Sequence, residues 1–167
     1  MATSAPTVEC GVLASPCAIL FRIVTHMPSH FSKGESGMST EQNKAVIRRF
    51  MTELLAGGHL DLIDELCAPN YVNTAMGGTD LAGFKAMLPA MGAVISGMTF
   101  NIVDLVAEGD AVVARYTSEI TLATGKKIDA RGLTYYSLAD RKIVLDDPIE
   151  TPDLTQELAA LMPAPVS

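Results

Sequence analysis

The stretch that decides the fold is Met98–Glu150, MTFNIVDLVAEGDAVVARYTSEITLATGKKIDARGLTYYSLADRKIVLDDPIE. It reads as four antiparallel strands joined by short turns. Met98–Ile102 alternates apolar and polar residues, and Ala107–Asp110 turns the chain. From Ala111 to Leu122 one side carries Val112, Ala114, Tyr116, Ser118, Ile120 and Leu122. Thr124-Gly125 is the next turn, after which Ile128, Ala130, Gly132, Thr134, Tyr136 and Leu138 share a face. Asp140-Arg141 then turns into Lys142–Leu145. Period-two alternation marks strands with one face on a core and one face wetter. Such a sheet needs a cover on its apolar side.

The upstream chain supplies that cover as helices. Ser39-Thr-Glu-Gln42 fits a capping box, with a hydroxyl at the N-cap and an amide three residues on. Val46, Ile47, Phe50, Met51, Leu54 and Leu55 then form one apolar helical stripe, which Gly57-Gly58 stops. A second, short helix puts Leu60, Ile63 and Leu66 inward and ends at Pro69. Tyr71–Thr74 is extended. Thr79 or Asp80 caps a third helix with Leu81, Phe84, Leu88 and Met91 on one side, and Pro89 is expected to kink or shorten it. After the strands, Asp153 caps a last helix carrying Leu154, Leu158 and Leu161. The expected fold is α+β: a cone-shaped, curved antiparallel sheet wrapped around three N-terminal helices, with a central cavity.

The 167 residues fit one domain, read as 38–163 with a short tail at 164–167. Residues 1–37 differ in composition, being rich in Ser, Pro and small residues. Their apolar run, Gly11–Val24, is broken by Pro16 and Arg22 and is too short for a bilayer. No cationic residue precedes it, as a secretory signal requires. The expectation is a poorly ordered extension, with Met38 a candidate start of translation; a weak targeting segment is the alternative. A net charge of -7 argues against nucleic acid or an anionic membrane as partner. Three cysteines, Cys10, Cys17 and Cys67, are too few for a disulfide framework and point to a reducing, cytoplasmic setting. They and His26, His30 and His59 have no metal-ligand spacing, so no metal is expected. Nor is there a phosphate loop, a nucleophile elbow or a dinucleotide fingerprint.

The chain resembles the SnoaL-like branch of the nuclear transport factor 2-like superfamily over about Thr40–Leu161. The carriers are Asn43–Phe50, Gly57–Leu66, Ala68–Asn73, Asp104–Asp110, Arg131-Gly132 and Lys142–Val144. Each is weakly specific; their order and spacing together are more so. The resemblance implies a cone that dimerises through its outer sheet face. Members include polyketide cyclases, epoxide hydrolases, ketosteroid isomerases and non-catalytic binders, so function rests on the site. The cyclases and hydrolases work without a cofactor: a pocket carboxylate on the last strand moves a proton of an apolar ligand, here expected to bear a carbonyl. An apolar cavity raises such a carboxyl toward the working pH.

Residue by residue the resemblance is partial. Tyr71 and Asn73 stand where the epoxide-hydrolase branch positions water. Arg115 stands where that branch has a pocket Arg, but Thr117 replaces its carboxylate. Thr134 holds a place that often carries a polar or catalytic residue in the cyclases. Counted from Lys142–Val144, the family's acid falls at Pro148. Hairpin geometry offers Asp147 instead: a two-residue turn at Asp140-Arg141 pairs Leu138 with Ile143, Tyr136 with Leu145 and Thr134 with Asp147. Asp147 is then the candidate base on a face shared with Thr134 and Tyr136, unless Asp146-Asp147-Pro148 is a solvated strand end. Arg115 either binds a ligand oxygen with Tyr71, Asn73, Thr134 and Tyr136, or forms an ion pair on the wet face. That outer face also carries Val113, Leu133 and Tyr135, the expected homodimer surface.

The composition of residues 1–37 predicts that they add nothing to the folded core. Deleting them should leave the melting temperature unchanged. A fall of more than about 4 °C, worth about 1 kcal/mol, would show that Gly11–Val24 docks on the domain.

Overall fold

The computed structural model describes residues 39–75, 78–153 and 158, all within one compact unit, 36–167. The first helix, α1, spans Thr40–Arg49 and continues as a π-helix over Phe50–Ala56. The Ser39 hydroxyl accepts from the Gln42 N–H, and the Gln42 side chain accepts from the Ser39 N–H, the reciprocal cap expected from the sequence. Apolar pairs at Val46-Ile47, Phe50-Met51 and Leu54-Leu55 repeat every four residues. That repeat is longer than the α-helical 3.6 and keeps the stripe in line through the wider π turns. Gly58, at φ 71°, lets the chain leave the helix. A 3-10 turn at Leu60–Leu62 leads into a short α2, Ile63–Leu66.

Strand β1 follows at once as Cys67–Asn73, then β2, Thr79–Asp80. Helix α3 spans Leu81–Val94, and the Asp80 carboxylate caps it by accepting from the Gly83 N–H at 2.8 Å. Pro89 lies inside the helix and does not shorten it. Pro89 and Lys85 both lie on the exposed side, so water can take up the carbonyl that the proline leaves unpaired.

Four long strands complete the chain: β3 Ile95–Glu108, β4 Ala111–Leu122, β5 Lys127–Ala139 and β6 Lys142–Thr151. The sheet order is β2-β1-β6-β5-β4-β3. All neighbours are antiparallel except β1 and β6, which run parallel. The curved, unclosed sheet wraps the helices, as the cone reading requires. Burial alternates strictly along β4 and β5: Val112 to Leu122 and Ile128 to Leu138 point inward at every second residue. The expected C-terminal helix falls largely outside the described residues, although Leu158 is helical and buried.

The last hairpin departs from the expected register. Asp140 and Arg141 adopt φ of 49° and 67°, a two-residue turn that pairs Leu138 with Ile143 as expected. A bulge then intervenes. Ser137 pairs with Leu145, leaving Val144 unopposed, and Tyr136 pairs with Asp146 rather than Leu145. Every later side chain of β6 changes face relative to the unbulged reading.

The core between sheet and helices centres on Phe50, which has no exposed surface. Its ring stacks on Phe84 with centroids 6.1 Å apart and meets the Tyr136 ring edge-on at 6.0 Å. Phe50→Ala should therefore cost about 3–5 kcal/mol. At about 2–4 °C per kcal/mol for a chain of this size, calorimetry should show a melting temperature lower by roughly 10 °C. A change of less than about 2 °C would show that α1 is dispensable to the core.

Candidate active site

Three rows of residues cross β4, β5 and β6 on the inner face of the sheet. They are Val112–Tyr136–Asp146, Ala114–Thr134–Pro148 and Tyr116–Gly132–Glu150. Above them lies a cavity of about 320 Å³, walled on the helix side by Met51, Leu54, Phe84, Met87 and Met91. That volume lies at the small end of the range for ligand pockets. Apolar side chains make most of the wall, and the polar groups come from the sheet, among them Asn73, Tyr116, Thr134, Tyr136, Asp146 and Glu150.

Asp146 is the most enclosed carboxylate of this group, at 5% exposure. Its Oδ2 accepts from the Tyr71 hydroxyl at 2.9 Å and from Asn73 Nδ2 at 2.8 Å. The pairing of β1 with β6 sets this contact, since Asn73 lies beside Asp146 and Tyr71 is two residues along on the same face. Oδ1 has no hydrogen bond to any described residue and remains able to take a proton. Burial pushes the Asp146 carboxyl up to about 6, against the hydrogen bonds of Tyr71 and Asn73, which favour the anion; Glu150 and Asp147 add to the rise. The Tyr71 and Tyr136 phenols are both driven well above their ordinary value, first by burial and then by the Asp146 charge. They are hydrogen-bonding groups, not acids, near neutral pH.

A second polar group lies two rows away. The Tyr116 hydroxyl donates to Glu150 Oε1 at 2.5 Å and lies 3.2 Å from Thr134 Oγ1. Burial raises the Glu150 carboxyl, and the Tyr116 hydrogen bond partly offsets it. The Cys67 thiol, pushed up to about 12 chiefly by burial, is not a nucleophile at neutral pH.

Of the residues singled out from the sequence, Tyr71, Asn73, Thr134 and Tyr136 converge on the inner side of the sheet. Asp147 and Arg115 do not. The bulge at Val144 turns Asp147 to the other face of β6, where its carboxylate accepts from the Thr74 hydroxyl. Arg115 is exposed and forms a cross-strand ion pair with Asp104, the wet-face alternative. Asp146, Tyr116 and Glu150 were not reached from the sequence. The one available signal was Ile143-Val144-Leu145, three apolar residues in a row where alternation should hold. Such a run admits a bulge without fixing its position.

Among the described residues, no group of His, Cys, Asp or Glu could hold a metal ion, and no helix is long and apolar enough to cross a membrane. Solved structures with the same architecture include a proposed polyketide cyclase from Acidithiobacillus ferrooxidans, 22% identical, covering 75% of this chain and 99% of its own at a TM-score of 0.61. A proposed SnoaL-like polyketide cyclase from Jannaschia is 17% identical, with 80% and 100% coverage and a TM-score of 0.61. An epoxide hydrolase of the LEH-like kind from M. tuberculosis is 17% identical, with 65% and 78% coverage and a TM-score of 0.58. These likenesses are to the fold. No curated protein sequence matches the chain. Residues 47–145, more than half of the chain, match the family described as SnoaL-like domain, and the chain belongs to that family.

Proposed function

We propose that this chain is a small enzyme that performs acid–base chemistry, without a cofactor, on an apolar, carbonyl-bearing ligand in the cone cavity, in the manner of a polyketide cyclase. The observation that carries this reading is the Asp146 carboxylate, enclosed in an apolar cavity with one oxygen held by Tyr71 and Asn73 and the other unengaged. A base works best when its pKa lies near the working pH, and burial brings Asp146 there. Oδ1 would remove a proton from a carbon beside the ligand carbonyl. Tyr71 and Asn73 then fix the carboxyl and moderate its basicity.

Epoxide hydrolysis is the runner-up. It is favoured by the same Tyr71-x-Asn73 pair beside the carboxylate, where the resemblance implies water positioning. The outward Arg115 speaks against it, because the cavity then lacks the Arg of that branch.

We also propose a homodimer through the outer sheet face. Val106, Leu133, Tyr135 and Ile149 are exposed there, Ile149 at 72% and Val106 at 66%. Contiguous apolar surface of this kind marks contact sites.

Three measurements test these readings. With β-diketone and aryl-epoxide panels as substrates, Asp146→Asn should lower the rate about 10²–10⁴-fold, while Asp147→Asn should leave it unchanged. The wild-type rate should fall as pH drops below about 6. Equal, small effects of both substitutions would make the chain a ligand binder. A second readout needs no substrate. A carboxyl whose pKa rises on folding, here from 3.8 to about 6, contributes stability that is fully present below about pH 3.8 and lost as pH rises through 6. Between about pH 4 and pH 8 the wild type should therefore lose about 3 kcal/mol relative to Asp146→Asn in urea unfolding. A pH-independent difference would place Asp146 in water. Light scattering at micromolar concentration should return a dimer mass that Tyr135→Glu reduces to a monomer; a wild-type monomer would refute the interface.

A further inference from the structure

The base accounts for one end of the cavity. Along β6, Asp146, Pro148 and Glu150 all line it, being two residues apart on one face. Three residues of strand separate the two carboxylates, so their Cα atoms, four steps apart, lie about 13 Å from each other. Pro148 between them offers only apolar surface.

Glu150 occupies a built setting. In the row Tyr116–Gly132–Glu150, the middle residue has no side chain. A Cβ on Gly132 would meet the Tyr116 hydroxyl at 2.6 Å and Glu150 Cγ at 3.0 Å. The vacant position is what allows the tyrosine to reach across β5 to the carboxylate. Thr134 flanks the hydroxyl at 3.2 Å. This arrangement occupies Glu150 Oε1 alone. Oε2 has no hydrogen bond to any described residue, in a side chain that lines the cavity. Glu150 is half-buried, so Oε2 is open to a donor that enters the cavity, and a hydrogen bond to a charged acceptor is among the stronger ones.

We infer that Glu150, held by Tyr116 across Gly132, is a specificity contact for a hydroxyl at the end of the ligand remote from Asp146. The inference rests on the cavity being the reaction chamber, and it narrows the substrate class. The ligand is elongated and apolar, with its reactive carbonyl end over Asp146 and a hydrogen-bond donor at the opposite end. Glu150 binds and orients; it takes no part in proton transfer at the reacting carbon. Tyr116 is a positioning residue that acts through Glu150.

The probes are 2-naphthol and 2-methoxynaphthalene, which differ in one donor, titrated by calorimetry at about pH 7.5, where a phenol keeps its proton. The wild type should bind 2-naphthol about tenfold or more tighter, as expected for a donor to a carboxylate. Glu150→Gln should abolish or reverse that preference. Its amide oxygen would accept from Tyr116, leaving the NH₂ group to face the ligand's hydroxyl. Glu150→Asp, which keeps the charge but withdraws the carboxylate, should also lose most of it. Tyr116→Phe, which releases Glu150 from its hydrogen bond, should weaken it, whereas Asp146→Asn should keep it. A preference that survives both Glu150 variants, or disappears only in Asp146→Asn, would overturn the inference. Loss of rate in Asp146→Asn with no Glu150 effect would remove this inference and leave the base standing. Failure of the wild type to bind either probe would contradict the chamber itself, and this inference with it.

Discussion

The site depends on one unopposed residue, Val144. The turn at Asp140-Arg141 sets the pairing of the last hairpin, and the bulge at Val144 resets it. Because side chains alternate along a strand, that single extra residue decides whether Asp146 or Asp147 enters the cavity. It also selects Glu150 rather than Ile149 for the inner face, and puts Ile149 outside at 72% exposure. Both the candidate base and the second carboxylate thus follow from one local irregularity. Bulges commonly re-aim side chains next to functional sites.

The parallel pairing of β1 with β6 completes the arrangement. Asn73 and Tyr71 reach Asp146 because β1, which follows directly on α2, enters the sheet beside β6. Phe84 then packs against Tyr71 with centroids 5.0 Å apart, and Phe50 against Phe84 and Tyr136. The aromatic core therefore lies directly behind the polar site. The apolar surroundings that raise the Asp146 carboxyl are the same side chains that hold α1 and α3 on the sheet. Stability and the proposed chemistry are coupled here: an ionised Asp146 weakens the fold near neutral pH, and the packing around it must bear that cost.

Much of the fold was legible in the sequence, for identifiable reasons. The alternation in Ala111–Leu122 and Ile128–Leu138 is strict, and the structure buries those same residues. The Ser39–Gln42 capping box and the Asp80 cap are local chemistry that tertiary packing does not override. Pro89 does not shorten α3, because a helix interior tolerates proline where the freed carbonyl can reach water. Within the site, Thr134 and Tyr136 were found because the strand period places them on the apolar face, whereas Tyr71 and Asn73 were reached only through the family resemblance. Asp146 was missed because the period was carried past Val144 without a bulge, a feature the run Ile143–Leu145 allows but does not locate. Glu150 and Tyr116 were missed because their contact runs across a third strand through Gly132. Only the joint register of β4, β5 and β6 brings them together.

The central claim is that Asp146 is a carboxyl enclosed in an apolar cavity and poised to accept a proton. Carbon-detected NMR of side-chain carboxyls, assigned with Asp146→Asn, measures its titration directly. The account predicts a midpoint of about 6. A midpoint near the ordinary aspartate value, about 3.9, would mean that Asp146 faces water, and would contradict both the register and the proposed base.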